Sequence, residues 1–175
     1  MGAPTDDVSL PAAEVAMSMT EPFEDLVRAE SSRLYRALYL ITGNRHESEE
    51  IMQDAFLALW ERWDRVGAMD DPTGYLFRTA MNAFRRRTRR AALAVKRAVA
   101  VTPPEDPFSE VDTRRDVVEA LASLDRKQRA AIVLTGLLGY SSEEAGQMLG
   151  MSAGSVRVLA SRARSNLRMA IGEVV

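Results

Sequence analysis

Apolar residues recur at helical spacing along most of the chain and never in the strict alternation of a strand, so the pattern predicts an all-α fold. Over residues 22–42, Phe23, Leu26, Val27, Leu34, Tyr35, Leu38 and Tyr39 mark a first helix. Over 47–63, Ile51, Met52, Ala55, Phe56, Leu59, Trp60 and Trp63 form the cleanest stripe. It stops at 64–71, where Gly67 and paired aspartates ahead of Pro72 predict a loop. Asp71-Pro72-Thr73 reads as the next helix start, since proline is tolerated in a first turn. That third helix turns Tyr75, Leu76, Thr79, Ala80 and Phe84 inward and continues through an alanine-rich stretch to about 97.

Residues 100–112 carry three prolines and four acids with no helical or strand period, which predicts an extended linker. Beyond it the pattern predicts helices at about 113–122, 126–137, 142–149 and 153–171. Val117, Val118 and Leu121 mark the first, and Ile132, Val133 and Leu137 the second. Ser141 and Glu144 match a capping box opening the third, Gly150 is placed to end it, and Ser152 to cap the fourth. The expected architecture is two small helical domains joined by a flexible acidic linker, the C-terminal one a helix-turn-helix. Its parts are a flexible tail at 1–20, a first domain at 21–97, a linker at 98–112 and a second domain at 113–175.

The formal net charge of −2 argues against a nucleic-acid partner until its distribution is read. Residues 1–20 hold three acids and no base, and 98–112 hold four acids and no base, whereas 113–175 hold nine bases against six acids. The acid is concentrated in tail and linker, and the second domain is basic. The absence of cysteine excludes disulfides and thiolate metal sites, and the single histidine, His46, leaves little for a catalytic triad or a metal site. The expectation is a protein that is not an enzyme and carries no metal or cofactor. No stretch has the ~18 apolar residues of a membrane span. The first twenty residues lack a base and a compact apolar segment, so they read as a tail rather than a secretory signal, with Met17 and Met19 as alternative starts.

Two stretches carry candidate chemistry. On the last predicted helix, Val156, Ala160, Ala163, Leu167 and Ala170 share one face at 100° per residue. Arg157, Ser161, Arg164 and Arg168 line a neighbouring stripe, and Ser155, Val158, Arg162 and Ser165 point outward. Guanidinium groups bind guanine edges or phosphates, and valine contacts a thymine methyl, so a helix with this face after a short capped helix and a glycine turn suits the major groove. Upstream, Arg85, Arg86, Arg87, Arg89 and Arg90 contain no acid among them, which fits phosphate contact. Trp60 extends the apolar stripe and belongs to the core; Trp63, beside the charged loop, reads equally as core or as a platform for an unpaired base. Glu49, Glu50, Asp54 and Glu61 read as a solvated or protein-binding face. A one-component regulator that binds duplex DNA as a dimer, with 21–97 as its dimerisation half, satisfies the same features, and a helical adaptor with solvated arginine stripes is the blander alternative.

Taken together the segments resemble the bacterial extracytoplasmic-function (group four) RNA polymerase sigma factors of the sigma-70 family, over about 21–172. Glu49-Glu50-Ile51-Met52-Gln53-Asp54-Ala55-Phe56 followed by Trp60 looks like the family's core-binding helix. Gly74-Tyr75-Leu76-Phe77-Arg78-Thr79-Ala80-Met81-Asn82, running into the arginines, looks like its promoter-melting helix. Gly154-Ser155-Val156-Arg157 and Ser161-Arg162-Ala163-Arg164-Ser165-Asn166-Leu167-Arg168 look like its minus-thirty-five recognition helix.

The resemblance implies that Glu50, Gln53, Asp54 and Leu57 bind core RNA polymerase, on the clamp helices of its largest subunit, with a second contact on the flap. It implies minus-ten DNA contacts by Trp63, Arg65, Asp70, Tyr75, Arg78, Asn82, Arg85 and Arg86, with the 64–72 loop capturing a flipped base. It implies minus-thirty-five contacts by Ser155, Arg157, Val158, Arg162 and Arg164. An acidic linker threading a basic polymerase channel, a cytoplasmic chain that is monomeric when free, no membrane insertion and an anti-sigma partner are further implications. Two departures stand out. Ala145-Gly146 replaces the family's Ile-Ala, and since a mid-helix glycine costs about 1 kcal/mol against alanine, that helix is expected to be weaker or closely packed. Val158-Leu159 replaces Ser-Arg on the reading helix, which predicts an altered minus-thirty-five preference.

Overall fold

The structure, a computed structural model, describes residues 12–94 and 119–172. Helix α1 spans Ala12–Thr42 with Pro22 inside it, so residues 12–20, expected in a flexible tail, continue the first helix. The rest of that tail and the expected linker at 98–112 lie outside the described residues. At the end of α1, Gly43 takes φ +66°, a left-handed backbone that L side chains rarely adopt, and donates its N–H to Tyr39 O at 2.8 Å.

Helix α2, Arg45–Trp60, is capped by the Asn44 side chain, which accepts the Glu47 N–H at 2.8 Å. The hydroxyls of Thr42 and Ser48, both buried, bond each other at 2.8 Å and pin the turn between α1 and α2. The predicted loop contains a one-turn helix, α3, Trp63–Val66. Helix α4, Pro72–Ala94, begins at the expected proline, and Asp71 Oδ1 accepts the Gly74 N–H at 2.7 Å in its first turn.

The second half opens with helical residues 119–122, here α5. Helix α6, Arg126–Ile132, has a capping box in which the Asp125 and Gln128 side chains each accept the other's backbone N–H. It passes directly into a π-helical turn, Val133–Leu137. The wider turn rotates the register, so Leu137, expected to face inward, is 60% exposed. Helix α7, Ser142–Leu149, opens on the expected Ser141–Glu144 capping box and ends at Gly150 with φ +65°. Helix α8, Ala153–Gly172, follows, with Ser152 Oγ accepting the Ser155 N–H at 3.1 Å.

Each half buries its own helix faces. Leu38, Ile51, Ala55, Leu59 and Ala80 fill the first, and Ala130, Leu134, Ala145, Val156 and Ala160 the second. The expected pair of helical units is therefore present, but they are packed against each other, and these residues belong to one continuous apolar cluster. The Phe77 and Tyr140 rings meet across the halves with centroids 6.2 Å apart.

Candidate nucleic-acid interface

Helix α2 buries Ser48, Ile51, Ala55 and Leu59, one residue per turn, and leaves the opposite face in solvent. Gln53 is exposed there, Leu57 is 59% exposed and Trp60 44% exposed. An exposed leucine and tryptophan one turn apart make an apolar patch that suits a protein partner better than water. Glu50 and Asp54 flank it, but they are not free carboxylates. Arg87 on α4 donates Nη1 to Glu50 Oε2 at 2.6 Å and Nη2 to Asp54 Oδ2 at 3.1 Å. Partial burial lowers the Arg87 pKa, and the bonds and charges of Asp54 and Glu50 outweigh it, leaving the guanidinium pKa raised. This corrects the reading of the 85–90 run as uniform phosphate contact: Arg87 ties α4 to α2. Glu50 and Asp54, one helical turn apart, were the signal for a forked partner.

The tryptophans also need correction. Trp63, expected among the minus-ten contacts, is 7% exposed; Trp60, expected in the core, is the exposed one. Helix α2 ends at Trp60, and the turn through Glu61 and Arg62 brings α3 back over the core with Trp63 beneath it. Phe23 contacts both rings, with centroids 4.8 Å from Trp60 and 5.2 Å from Trp63. A Cβ on Gly67 would lie 3.0–3.3 Å from Trp63, so the following loop closes over the indole. In this conformation Trp63 has no open face for a base.

Along α4, Arg78, Asn82, Arg86, Arg89 and Arg90 are exposed, and Tyr75 and Arg85 are half-buried. Residues 75, 78, 82, 85, 86 and 89 follow three- and four-residue spacing, so they share one side of the helix. Arg65 on α3 and Asp70 in the loop are exposed as well. Arg85 Nη1 donates to Asn82 Oδ1 at 3.4 Å. Its guanidinium also lies against Gly150, where a Cβ would come within 2.1 Å of Nη2. Sequence reasoning missed that contact, which joins residues 65 positions apart.

In the second half, Val156, Ala160 and Ala163 are buried and Leu167 is partly buried against them, the face the periodicity predicted. Ser155, Arg157, Ser161, Arg162, Arg164, Ser165 and Arg168 are exposed, and Val158 is 50% exposed. Arg157 Nη1 reaches back to Glu143 Oε1 on α7 at 3.1 Å. The Ser141 backbone N–H and then its hydroxyl hold the exposed Glu144 carboxyl below the usual glutamate range, with Arg78 adding a weaker pull from the first half. Gly146 is closely packed: a Cβ would sit 2.7 Å from Met151 O. Among the described residues no group of three or more His, Asp or Glu is placed to hold a metal, and no helix is long and apolar enough to cross a membrane.

Comparison with known proteins places both halves. The family model described as Sigma-70 region 2 matches residues 26–93, and that described as Sigma-70, region 4 matches residues 114–167. The chain is 35% identical over 157 residues to the ECF RNA polymerase sigma factor SigE of Mycolicibacterium smegmatis, covering 83% of this chain and 60% of that protein. It is 31% identical over 167 residues to the ECF RNA polymerase sigma factor SigM of Mycobacterium tuberculosis, covering 95% and 85%. Among solved structures, CnrH in complex with the cytosolic domain of CnrY has a TM-score of 0.59 at 28% identity, covering 93% of this chain and 95% of that one. The sigma factor RpoE in complex with the anti-sigma factor NepR from Bartonella quintana shares the fold, with a TM-score of 0.67 at 24% identity over 86% and 96%.

Proposed function

The chain belongs to the extracytoplasmic-function RNA polymerase sigma factors of the sigma-70 family, and on that premise we propose that it is a promoter-specificity subunit that binds core RNA polymerase and directs initiation without catalytic chemistry of its own. The observation that carries this reading is the separation of three surfaces on one chain. An exposed apolar patch, Leu57 and Trp60, stands on α2; a basic helix side runs along α4; a second basic side runs along α8.

Each surface has a task that its chemistry suits. The α2 patch, with Gln53 beside it, docks on the clamp helices of the largest polymerase subunit. Arg157, Arg162 and Arg164 bind phosphates and base edges of the minus-thirty-five element, with Ser155 and Val158 reading alongside. Tyr75, Arg78, Asn82 and Arg86, with Arg65 and Asp70 nearby in the chain, contact the minus-ten strand, and arginine–phosphate bonds hold it once it is unpaired. With Trp63 in the core, trapping a flipped base falls to Tyr75 and the loop that ends at Asp71.

The reading includes a cytoplasmic chain and a protein antagonist of the anti-sigma kind; CnrH, solved with the cytosolic domain of CnrY, supports the antagonist. Size-exclusion chromatography with purified core polymerase tests the proposal against a dimeric DNA-binding regulator. A free monomer that co-elutes with core supports it; a homodimer that ignores core overturns it.

A further inference from the structure

Glu143 and Arg157 meet between the two helices of the helix-turn-helix. Glu143 lies in the first turn of α7 and Arg157 near the N-terminal end of α8, and Arg157 Nη1 donates to Glu143 Oε1 at 3.1 Å. Both side chains are more than half exposed, and an ion pair in that setting adds little to stability. Its effect is to restrict one long side chain. Nη1 lies on the Cδ side of the guanidinium plane, so the fork made by Nε and Nη2 stays open. That fork bonds side-on to the O6 and N7 acceptors of a guanine.

The surroundings set Arg157 apart from the other arginines of α8. Among the described residues, Arg162, Arg164 and Arg168 form no ion pair, so their guanidinium groups are free to meet phosphates. Arg157 stands instead beside Glu143 and Glu144, the two acids that open α7. The Glu144 N–H donates to Ser141 Oγ at 3.1 Å and the Ser141 N–H to Glu144 Oε2 at 2.8 Å. This cap occupies amides that would attract a phosphate at a helix N-terminus, and the two carboxylates repel one. A base edge carries no net charge and escapes that repulsion. The first turns of a recognition helix are also the ones that reach base edges.

We propose that Glu143 is a positioning residue for promoter specificity: it holds Arg157 by Nη1, presents the Nε–Nη2 fork to one guanine of the upstream element, and keeps that arginine off the phosphates. The inference rests on the promoter reading of α8 and adds the residue that makes one of its arginines selective. Released, Arg157 reaches a phosphate whatever base lies beside it, so the hold exchanges affinity for discrimination.

The test uses the full chain assembled with core polymerase, and the probe is a double-stranded DNA library randomised over the upstream element. Sequencing the bound fraction gives the preference at each base pair, and a salt series gives the log–log slope of affinity. Glu143→Ala is expected to lower the preference for guanine at one base pair by about two- to tenfold, the cost of ordering one long side chain. Other positions should keep their preference. Total binding should not fall, and the salt slope should steepen by about 0.9 as the released Arg157 neutralises a phosphate. Glu143→Gln keeps the acceptor and should retain most of the preference. In an Arg157→Ala background, Glu143→Ala should cause no further loss. If Glu143→Ala fails to fold, Glu143→Leu, a good helix former without an acceptor, is read in the same way. Three results overturn the inference and leave the promoter reading standing: an unchanged preference at every base pair, a loss that persists in the Arg157→Ala background, or a loss in Glu143→Gln equal to that in Glu143→Ala. A parent holoenzyme with no preference at any base pair overturns both.

Discussion

Replacing Trp63 with alanine is expected to destabilise the fold by about 3–5 kcal/mol, because the indole is buried under α3 and the Gly67 loop. Trp60→Ala should cost only about 1 kcal/mol and should instead weaken association with core polymerase. Denaturant unfolding of both variants, set beside core co-elution, separates the two roles; equal stability losses would contradict the assignment. Gly146→Ala reverses the usual rule. Alanine normally gains about 1 kcal/mol over glycine in a helix interior, but here a Cβ would press on a backbone oxygen at 2.7 Å. Forced packing of this kind typically costs about 1–3 kcal/mol, so a net loss in the thermal midpoint is expected and a gain would contradict the close packing. Glu144 supplies a pH signature. Its folded pKa lies below its unfolded value through the Ser141 bonds, so its contribution is complete above the unfolded pKa and is lost as pH falls through the folded one. Between those values wild type should lose stability more steeply than Glu144→Gln; parallel pH profiles would contradict the bond.

On the proposed function, helix α8 is the element on which DNA reading most depends. Alanine at Arg162 or Arg164 should weaken binding across all sequences and reduce the log–log salt slope of the holoenzyme's DNA affinity by about 0.9 for each phosphate no longer neutralised. Val158→Ala should leave that slope unchanged and relax discrimination at one base pair by about 1 kcal/mol, read from a panel of single-base promoter variants. The outward face of α8 was legible because a 100° period sorts alanine and valine from arginine and serine without knowledge of any neighbour. So were the Ser141–Glu144 box and the Gly150 stop, whose partners lie within one turn. The same period misled at the end of α2. A single stripe drawn through Trp60 and Trp63 crosses the Glu61–Arg62 break, where the helical register restarts. Leu137 failed for a related reason, since the π turn adds a residue that a uniform period has no means of placing.

Across the whole molecule, the sequence pattern predicted two helical units and was silent on their union. The Glu47–Arg126 pair, the Arg85–Gly150 contact and the Phe77–Tyr140 rings join residues far apart in the chain, and none follows from a local period. Opposite charges in distant helices are too common to nominate one pair, and a glycine that ends a helix gives no sign that a distant arginine lies against it. Run-off transcription with purified core polymerase on a library of genomic fragments tests the proposed promoter reading most directly. Discrete transcripts are expected only when the chain is present, and they should disappear with the Arg162→Ala, Arg164→Ala double variant while co-elution with core persists. A chain that co-elutes with core yet produces no discrete start on any fragment would contradict it.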